Sequence, residues 1–259
     1  RKSASRPRHM AAKQAALGIS HAIMPGGKTM PQLKTLLSSA CERNCYYCPF
    51  RAGRNYPRHT FQPEELANAF MQMYRAGLVE GLFLSSGIIR GSVTTQDKLL
   101  ATAEILRRKH QFKGYLHLKV MPGAEKDQLR HAMTLADRLS VNLEAPNDKR
   151  LALLAPKKMF LEELVRPLQL IEQIRQEEPA RLGWNGRWPS TVTQFVVGAV
   201  GETDVEILST TEYLTKQLRI KRAYFSMFSP IPNTPLENQP AAEPLRKVRL
   251  YQTSFLFRD

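Results

Sequence analysis

The chain predicts an α/β fold, a partial (β/α)6 TIM-like barrel with a basic N-terminal extension, and three observations carry that reading. Short apolar runs alternate with longer amphipathic stretches from residue 32 to the end, the pattern of a parallel sheet covered by helices. There are six such units, whereas a closed eight-strand barrel needs about 250 residues with little left for extensions. No internal repeat appears beyond this alternation. A doubly wound open sheet is the alternative, since periodicity alone does not separate the two.

Taken in order, the strand-like runs are QLKTLLSS (32–39), EGLFLSS (80–86), GYLHLKV (114–120), DRLSVNLE (137–144), TVTQFVVG (191–198) and IKRAYFSMF (220–228). The first helix, PEELANAFMQMYRAG (63–77), opens on a proline, carries acids in its first turn and closes on a glycine, all favourable end choices. TQDKLLATAEILRRKH (95–110), EKDQLRHAMTLA (125–136) and KMFLEELVRPLQLIEQIRQEE (158–178) follow with helical spacing. In TDVEILSTTEYLTKQL (203–218), Thr203 and Glu206 stand at capping-box spacing, so hydroxyl and carboxylate can each satisfy a free N–H. PLRKVRLYQTSFLFR (244–258) is the last helix. The Gly-, Pro- and Trp-rich segment 179–190 is either a surface loop or a cap over the barrel mouth. The domain reading is an extension over 1–31 and the barrel over 32–259. With no initiator Met and a helix still running at the end, the chain reads as part of a longer protein.

At 42% hydrophobic and 24% charged the composition is that of a globular protein with a full core, and no apolar run has the length of a membrane span. The basic N-terminus has no apolar stretch behind it and is not a secretory signal. The formal net charge is +15. Residues 1–60 hold eleven basic side chains against one acid, Glu42, a concentration that favours a polyanionic partner, nucleic acid first. A solvated basic tail is the other reading of residues 1–13.

All three cysteines fall in SACERNCYYCPFRAGR (39–54), directly after the first strand. Three clustered thiols with none elsewhere exclude a disulfide framework and point to a reducing compartment, hence the cytoplasm. Spaced C-x3-C-x2-C, Cys41, Cys45 and Cys48 can each bind a different iron of one [4Fe–4S] cubane. The missing fourth cysteine leaves one iron open to a small chelating ligand. Zinc is the alternative metal, but its fourth ligand would have to be His59, eleven residues beyond Cys48.

The C-x3-C-x-aromatic-C pattern, with Tyr47 in the aromatic slot, resembles the signature of the radical S-adenosylmethionine (SAM) superfamily. Further strings, among them EGLFLSSGII (80–89), YLHLKVMPGA (115–124), LADRLSVNLEAPN (135–147), TQFVVGAVGETDVEIL (193–208), IKRAYFSMFSPIP (220–232) and LRKVRLYQ (245–252), resemble the putative DNA modification and repair radical SAM proteins linked to a uracil-DNA-glycosylase-like partner. The resemblance implies a [4Fe–4S] cluster on Cys41, Cys45 and Cys48, SAM as the ligand of the open iron, and an external electron donor. It implies reductive cleavage of SAM to a 5′-deoxyadenosyl radical, acting on a nucleic-acid substrate, DNA before RNA. It further implies that Ser85, Ser86 and Gly87 line the SAM amino group, that Asn142 and Glu144 hold its ribose or carboxylate, and that Val197 and Gly198, with Ala199, pack against its adenine. A strand-terminating turn is the other reading of 85–87, and a structural network that of Asn142 and Glu144.

Arg51, Arg54 and Arg58 would flank the barrel mouth as phosphate contacts, with Tyr46, Tyr56 and Phe61 offering stacking faces. The alternative is that they stabilise the cluster loop. A radical SAM enzyme acting on a small metabolite or peptide, and a non-catalytic zinc or cluster module that binds nucleic acid, are the competing functions. AIMPGGKT (22–29) ends like a phosphate-binding loop, but Ala22 replaces its first glycine and Pro31 follows where a helix should run. Lys119, a charge facing the lumen, reads as a base or as a substrate or carboxylate contact. The resembled proteins carry a C-terminal region suited to binding DNA; this sequence ends before it, so the region is either absent or not included.

Overall fold

The computed structural model describes residues 8–23 and 27–257. Helix α1 (Arg8–Ala16) leads to strand β1 (Ser20–Ile23), which pairs antiparallel with β2 (Thr29–Leu36). Then α2 (Pro63–Arg75), β3 (Gly81–Ser85), α3 (Ser92–Glu104), β4 (Tyr115–Lys119), α4 (Lys126–Leu135) and β5 (Arg138–Ser140) alternate. Helices α5 (Asp148–Leu154) and α6 (Arg166–Glu177) precede β6 (Ser190–Val197), and α7 (Asp204–Leu218), β7 (Arg222–Met227) and α8 (Pro244–Phe255) complete the chain. No helix among the described residues is long and apolar enough to cross a membrane.

The seven strands lie in sequence order, with β2 to β7 all parallel. A doubly wound sheet reverses direction at a switch point, and this one never does. Right-handed crossovers of constant direction put every helix on one face and curl the sheet into a half-barrel. All six predicted strands are present. The seventh, β1, was not read from the sequence. It recruits Ala22 and Ile23, pairing Ala22 with Met30, so the phosphate-loop-like string sits in a hairpin instead of a strand-to-helix turn; its residues 24–26 lie outside the described ones. The sheet therefore begins at Ser20, inside the segment read as an extension.

One side of the sheet is apolar and faces helices. Leu82, Leu84, Leu116, Leu118, Leu139, Phe195 and Phe225 are almost fully buried, in one core with Phe70, Leu99, Leu106, Ile171 and Leu214. Each such leucine or phenylalanine stabilises the fold by about 1.5–3 kcal/mol. The alternate residues face the lumen, as the two-residue strand period requires. In register they form rows: Lys34, Phe83, His117 and Arg138 across β2 to β5, and Lys119, Ser140, Val192 and Arg222 across β4 to β7. The lumen is polar because of these rows.

Several local expectations are corrected by the packing. The helix predicted over 158–178 is split into a wide turn, 160–165, and α6. Pro167 has no N–H, so the Glu163 carbonyl is free to accept from Gly123 N at 2.9 Å. Helix α5, absent from the sequence reading, is short and capped by Asn147, whose Oδ1 accepts from Arg150 N at 3.0 Å. The capping box at Thr203 and Glu206 is present, with bonds of 3.2 and 2.7 Å. Segment 179–190 is no cap over the mouth. Trp184 stacks under Arg107, whose guanidinium bonds to the carbonyls of Phe112, Gly114 and Leu135, just ahead of β4 and β5. That is the end of the barrel opposite the cysteines.

Candidate active site

The loop following β2 carries the cysteines over the C-terminal ends of the strands, where α/β sheets collect ligands. Its backbone is pinned from three sides. Glu42 N donates to Ile88 O (2.8 Å) beyond β3, Tyr46 N to Leu154 O (2.8 Å) at the end of α5, and Ala52 N to Arg43 O (2.8 Å) within the loop. Arg43 adds a salt bridge to Glu163 at 2.5 Å and a bond to the Lys157 carbonyl. Cys41, Cys45 and Cys48 thereby open on one cavity of about 210 Å³, which Tyr47, Ser85, Ser86, Gly87, Asn142 and Glu144 also line. Six residues singled out in the sequence around SAM and the cluster thus meet the three cysteines, Tyr47 among them.

The donor set fits a cubane. Backbone N–H groups of Ile88 and Phe50 point at the sulfurs of Cys41 and Cys48, each at 3.4 Å, and would stabilise thiolate charge. Burial pushes the Cys45 thiol up, and the Cys48 thiol to about 11, so ionisation needs a cation that displaces the protons. Among the described residues no three His, Cys, Asp or Glu side chains converge to hold a single ion. His59 stands apart from the thiols, its N–H on the Ser39 hydroxyl and its side chain on the neighbouring cavity. Ligands spread over three corners suit a cluster, and a tetrahedral zinc site is not formed.

Gly87 explains itself sterically. A Cβ there would stand 2.1 Å from the Ala40 carbonyl oxygen and 3.1 Å from Cys41 Cβ, while Gly87 N bonds to Ser38 O at 2.7 Å. Only glycine lets β3 close against the cysteine loop. Gly87→Ala is expected to displace the loop and lower the iron bound per chain, with a destabilisation of about 1–3 kcal/mol. Iron analysis and thermal melting of that variant are the check, and unchanged values for both would refute the contact.

Asn142 and Glu144 do reach the same cavity, though not as members of a regular strand. After Ser140 the pairing with β6 becomes irregular: Leu143 N bonds to the Thr193 hydroxyl, and Glu144 adopts φ +65° while bridging to Phe195. The Glu144 carboxylate meets Lys158 Nζ at 3.1 Å, a pair whose side chains are only 6% and 9% exposed. Burial alone would raise the Glu144 pKa; Lys158, Lys119 and the neighbouring Tyr47 phenol outweigh it and hold the group ionised. Lys158 is likewise raised, since Glu144, Cys45 and Cys48 overcome its burial. Lys119 lines the cavity too, and burial lowers it to about 8 against the pull of Glu144. Glu144 Oε2 has no partner at normal hydrogen-bond geometry among the described residues, while the Tyr47 phenol interacts with the same carboxylate, so a ligand there would share the group with Tyr47.

Two sets of predicted contacts fall elsewhere. Val197 and Gly198 do not line this cavity: Val197 is buried in the core, and the space beside Gly198 is filled by Ala242, 2.4 Å from where a Cβ would be. The three arginines near the mouth are turned inward. Arg58 donates to four main-chain carbonyls, those of Ser39, Phe50, Arg51 and Arg54, at 2.7–3.2 Å. Arg54 bonds to the carbonyls of Pro49 and Pro232, and Arg51 to Asn44 Oδ1. These bonds match the loop-stabilising alternative and leave Arg58 little capacity for phosphate. Arg58→Ala is expected to reduce iron content and destabilise by about 1.5–3 kcal/mol, through carbonyls left without a charged donor. Full iron retention with an unshifted melting curve would return this arginine to the surface role.

Lys158 and the Arg43–Glu163 pair were missed by the sequence reading. Lys158 was read as the first residue of the helix predicted over 158–178, but it lies in the irregular stretch ahead of it, and nothing in the sequence pairs it with Glu144.

Fold and site together define a cluster-binding partial barrel that keeps one coordination corner open to a ligand. Residues 35–214 match the model of the Radical SAM superfamily, more than half of the chain, and the protein belongs to that superfamily of enzymes. The superfamily uses a [4Fe–4S] cluster and SAM. Solved structures with the same fold include methylornithine synthase (PylB), at a TM-score of 0.68 and 14% identity over 88% of this chain and 62% of that one. The FeFe-hydrogenase maturase HydG from Carboxydothermus hydrogenoformans gives 0.65 and 14%, over 88% and 51%. The radical SAM methyltransferase TsrM from Kitasatospora setae, with cobalamin and a [4Fe–4S] cluster bound, gives 0.58 and 14%, over 92% and 39%. The chain thus spans about two fifths to three fifths of the length of these proteins. No curated protein matches it in sequence.

Proposed function

We propose that the protein cleaves SAM reductively beside Cys41, Cys45 and Cys48 and turns the resulting radical on a substrate held in the barrel lumen. The observation that carries this is the shared cavity: the three cysteines, Gly87, Asn142 and Glu144 all line one space. Bound there, cluster and SAM would supply an electron and a 5′-deoxyadenosyl radical. The chain's own residues do the rest. Cys41, Cys45 and Cys48 would hold three irons, Glu144 and Asn142 are placed to accept and donate hydrogen bonds to SAM, and Lys158 keeps Glu144 ionised. A second cavity of about 660 Å³, sharing Ser85, Lys119 and Asn142 with the first, extends from it into the lumen and gives the substrate its place.

The volume of this cavity, about 660 Å³, suits a small substrate, or one unit of a larger molecule inserted into it. A nucleic-acid substrate, DNA before RNA, is the second reading. The net charge of +15 and the exposed aromatics Tyr56 and Phe61 at the cavity rim support it, while the inward-turned Arg58 does not. A duplex would have to flip the target base out. The docking of a uracil-DNA-glycosylase-like protein belongs with this reading.

The test is anaerobic reconstitution followed by a 5′-deoxyadenosine assay under strong reductant, with and without oligonucleotides. Wild-type protein should form 5′-deoxyadenosine, and Asn142→Ala should bind SAM about tenfold more weakly at unchanged iron content. Iron-loaded protein that leaves SAM intact would sink the reading.

A further inference from the structure

Beneath the cysteine cavity the lumen continues toward the N-terminal ends of the strands as a chamber of about 410 Å³. Lys34, Arg138 and Arg222 all line it, and no aspartate or glutamate does. None of the three forms an ion pair with a carboxylate among the described residues. Arg138 reaches only neutral partners, the Ser190 hydroxyl at 3.0 Å and the Tyr224 phenol at 3.3 Å. Arg222 lies against the rings of Tyr224 and Tyr251. Lys34 is exposed and Arg138 and Arg222 are half-buried, and three like charges gathered with no acid among them favour an anion as their counter-charge.

The neutral polar groups point the same way. Four of the residues that line this chamber each carry a buried side-chain atom with no hydrogen-bond partner among the described residues: Gln32 Nε2, His117 Nε2, Ser140 Oγ and Arg222 Nε. Native proteins leave few such groups, and several in one chamber call for a ligand. His117 is stacked on Phe83 at 4.2 Å, and the strand register sets Lys34, Phe83, His117 and Arg138 in a single row. Burial and the surrounding charges of Arg138, Lys119 and Lys34 hold its imidazole neutral, which leaves one ring nitrogen free to donate.

We propose that this chamber is an anion site that takes the carboxylate or phosphate group of a small substrate on Lys34, Arg138 and Arg222, with His117 and Gln32 as neutral donors. The proposal rests on the reading that the substrate sits in the lumen, and it names the substrate's class. The remainder of the molecule would reach upward past Asn142, which lines this chamber, the larger cavity and the space beside the thiols. The anionic end would thus be fixed at the bottom while the reacting end faces the cysteine cavity.

Calorimetric titration of the reconstituted full chain with inorganic phosphate and, separately, with succinate tests it. One saturable site for at least one anion is expected, and the tighter of the two shows whether the group is a phosphate or a carboxylate. Arg138→Gln and Arg222→Gln should each weaken that binding about tenfold or more, through loss of a charge-assisted contact. Lys28→Gln, which removes an exposed charge outside the chamber, should change it little. Because removing one of several like charges relieves repulsion, the variants should keep their melting temperature, and Lys34→Gln serves if either arginine variant fails to fold. No saturable binding by either anion, or equal binding in wild type and in all folded variants, overturns the site. SAM cleavage is measured separately in wild-type protein without either anion, so failure of the anion site and failure of the radical reading are told apart.

Discussion

Replacing Cys45 by Ala is expected to strip the protein of its cluster. Wild-type protein reconstituted without oxygen should bind about four irons and four sulfides, and the variant should retain less than about one of each. Cys45 is the most buried of the three thiols, packed in the core cluster beside the loop's main-chain anchors, so no water or neighbouring side chain can take its place. Two thiolates cannot hold a cubane that already lacks a protein ligand at its fourth corner. Because cluster binding is coupled to folding of the loop, the variant should also melt at a lower temperature than the loaded wild type. Iron and sulfide analysis with an absorption spectrum is the measurement. Stoichiometric zinc without sulfide in wild-type protein made under iron-replete, oxygen-free conditions would refute the cluster itself.

The second large effect belongs to the Glu144–Lys158 pair. Glu144→Ala should destabilise the protein by about 3–5 kcal/mol, because it leaves the Lys158 ammonium buried without its partner. The same change should abolish tight SAM binding, since Glu144 is the only carboxylate among the described residues that lines the cavity. Replacing both residues with apolar side chains, Glu144→Leu with Lys158→Met, should recover most of the stability but none of the SAM affinity. That divergence separates the two roles of Glu144, and denaturant melts run beside SAM titrations would read it. Equal stability of the single and double variants would mean that the buried pair contributes little. Asn142→Ala, which disrupts no ion pair, is the cleaner probe of the ligand contact alone.

The sequence was sufficient for the cluster because its ligands are local. Cys41, Cys45 and Cys48 lie within eight residues, so their chemistry survives in one dimension, and the missing fourth thiol is visible as an absence in the same string. The strands were legible for a similar reason: Leu82, Leu84, Leu116 and Leu118 alternate with lumen residues at the two-residue period. Boundaries were less so, because the antiparallel β1 is four residues long and half polar, with no apolar signature of its own.

What the tertiary structure alone decided are charge partnerships between distant residues. A run of arginines after the cysteines looks the same in sequence whether it meets phosphate or the loop's own carbonyls. The fold turned Arg58 inward, because four carbonyls of a loop without regular pairing needed donors. Lys158 reaches back fourteen residues to Glu144 from the far side of α5, and the space beside Gly198 is occupied by Ala242 from beyond β7. Lys34, His117, Arg138 and Arg222 come from four strands and share a chamber only once the sheet has curled. Sequence spacing fixes which side of a strand a residue faces; which charges then stand opposite one another depends on register and curvature, and those are set by packing over the whole sheet.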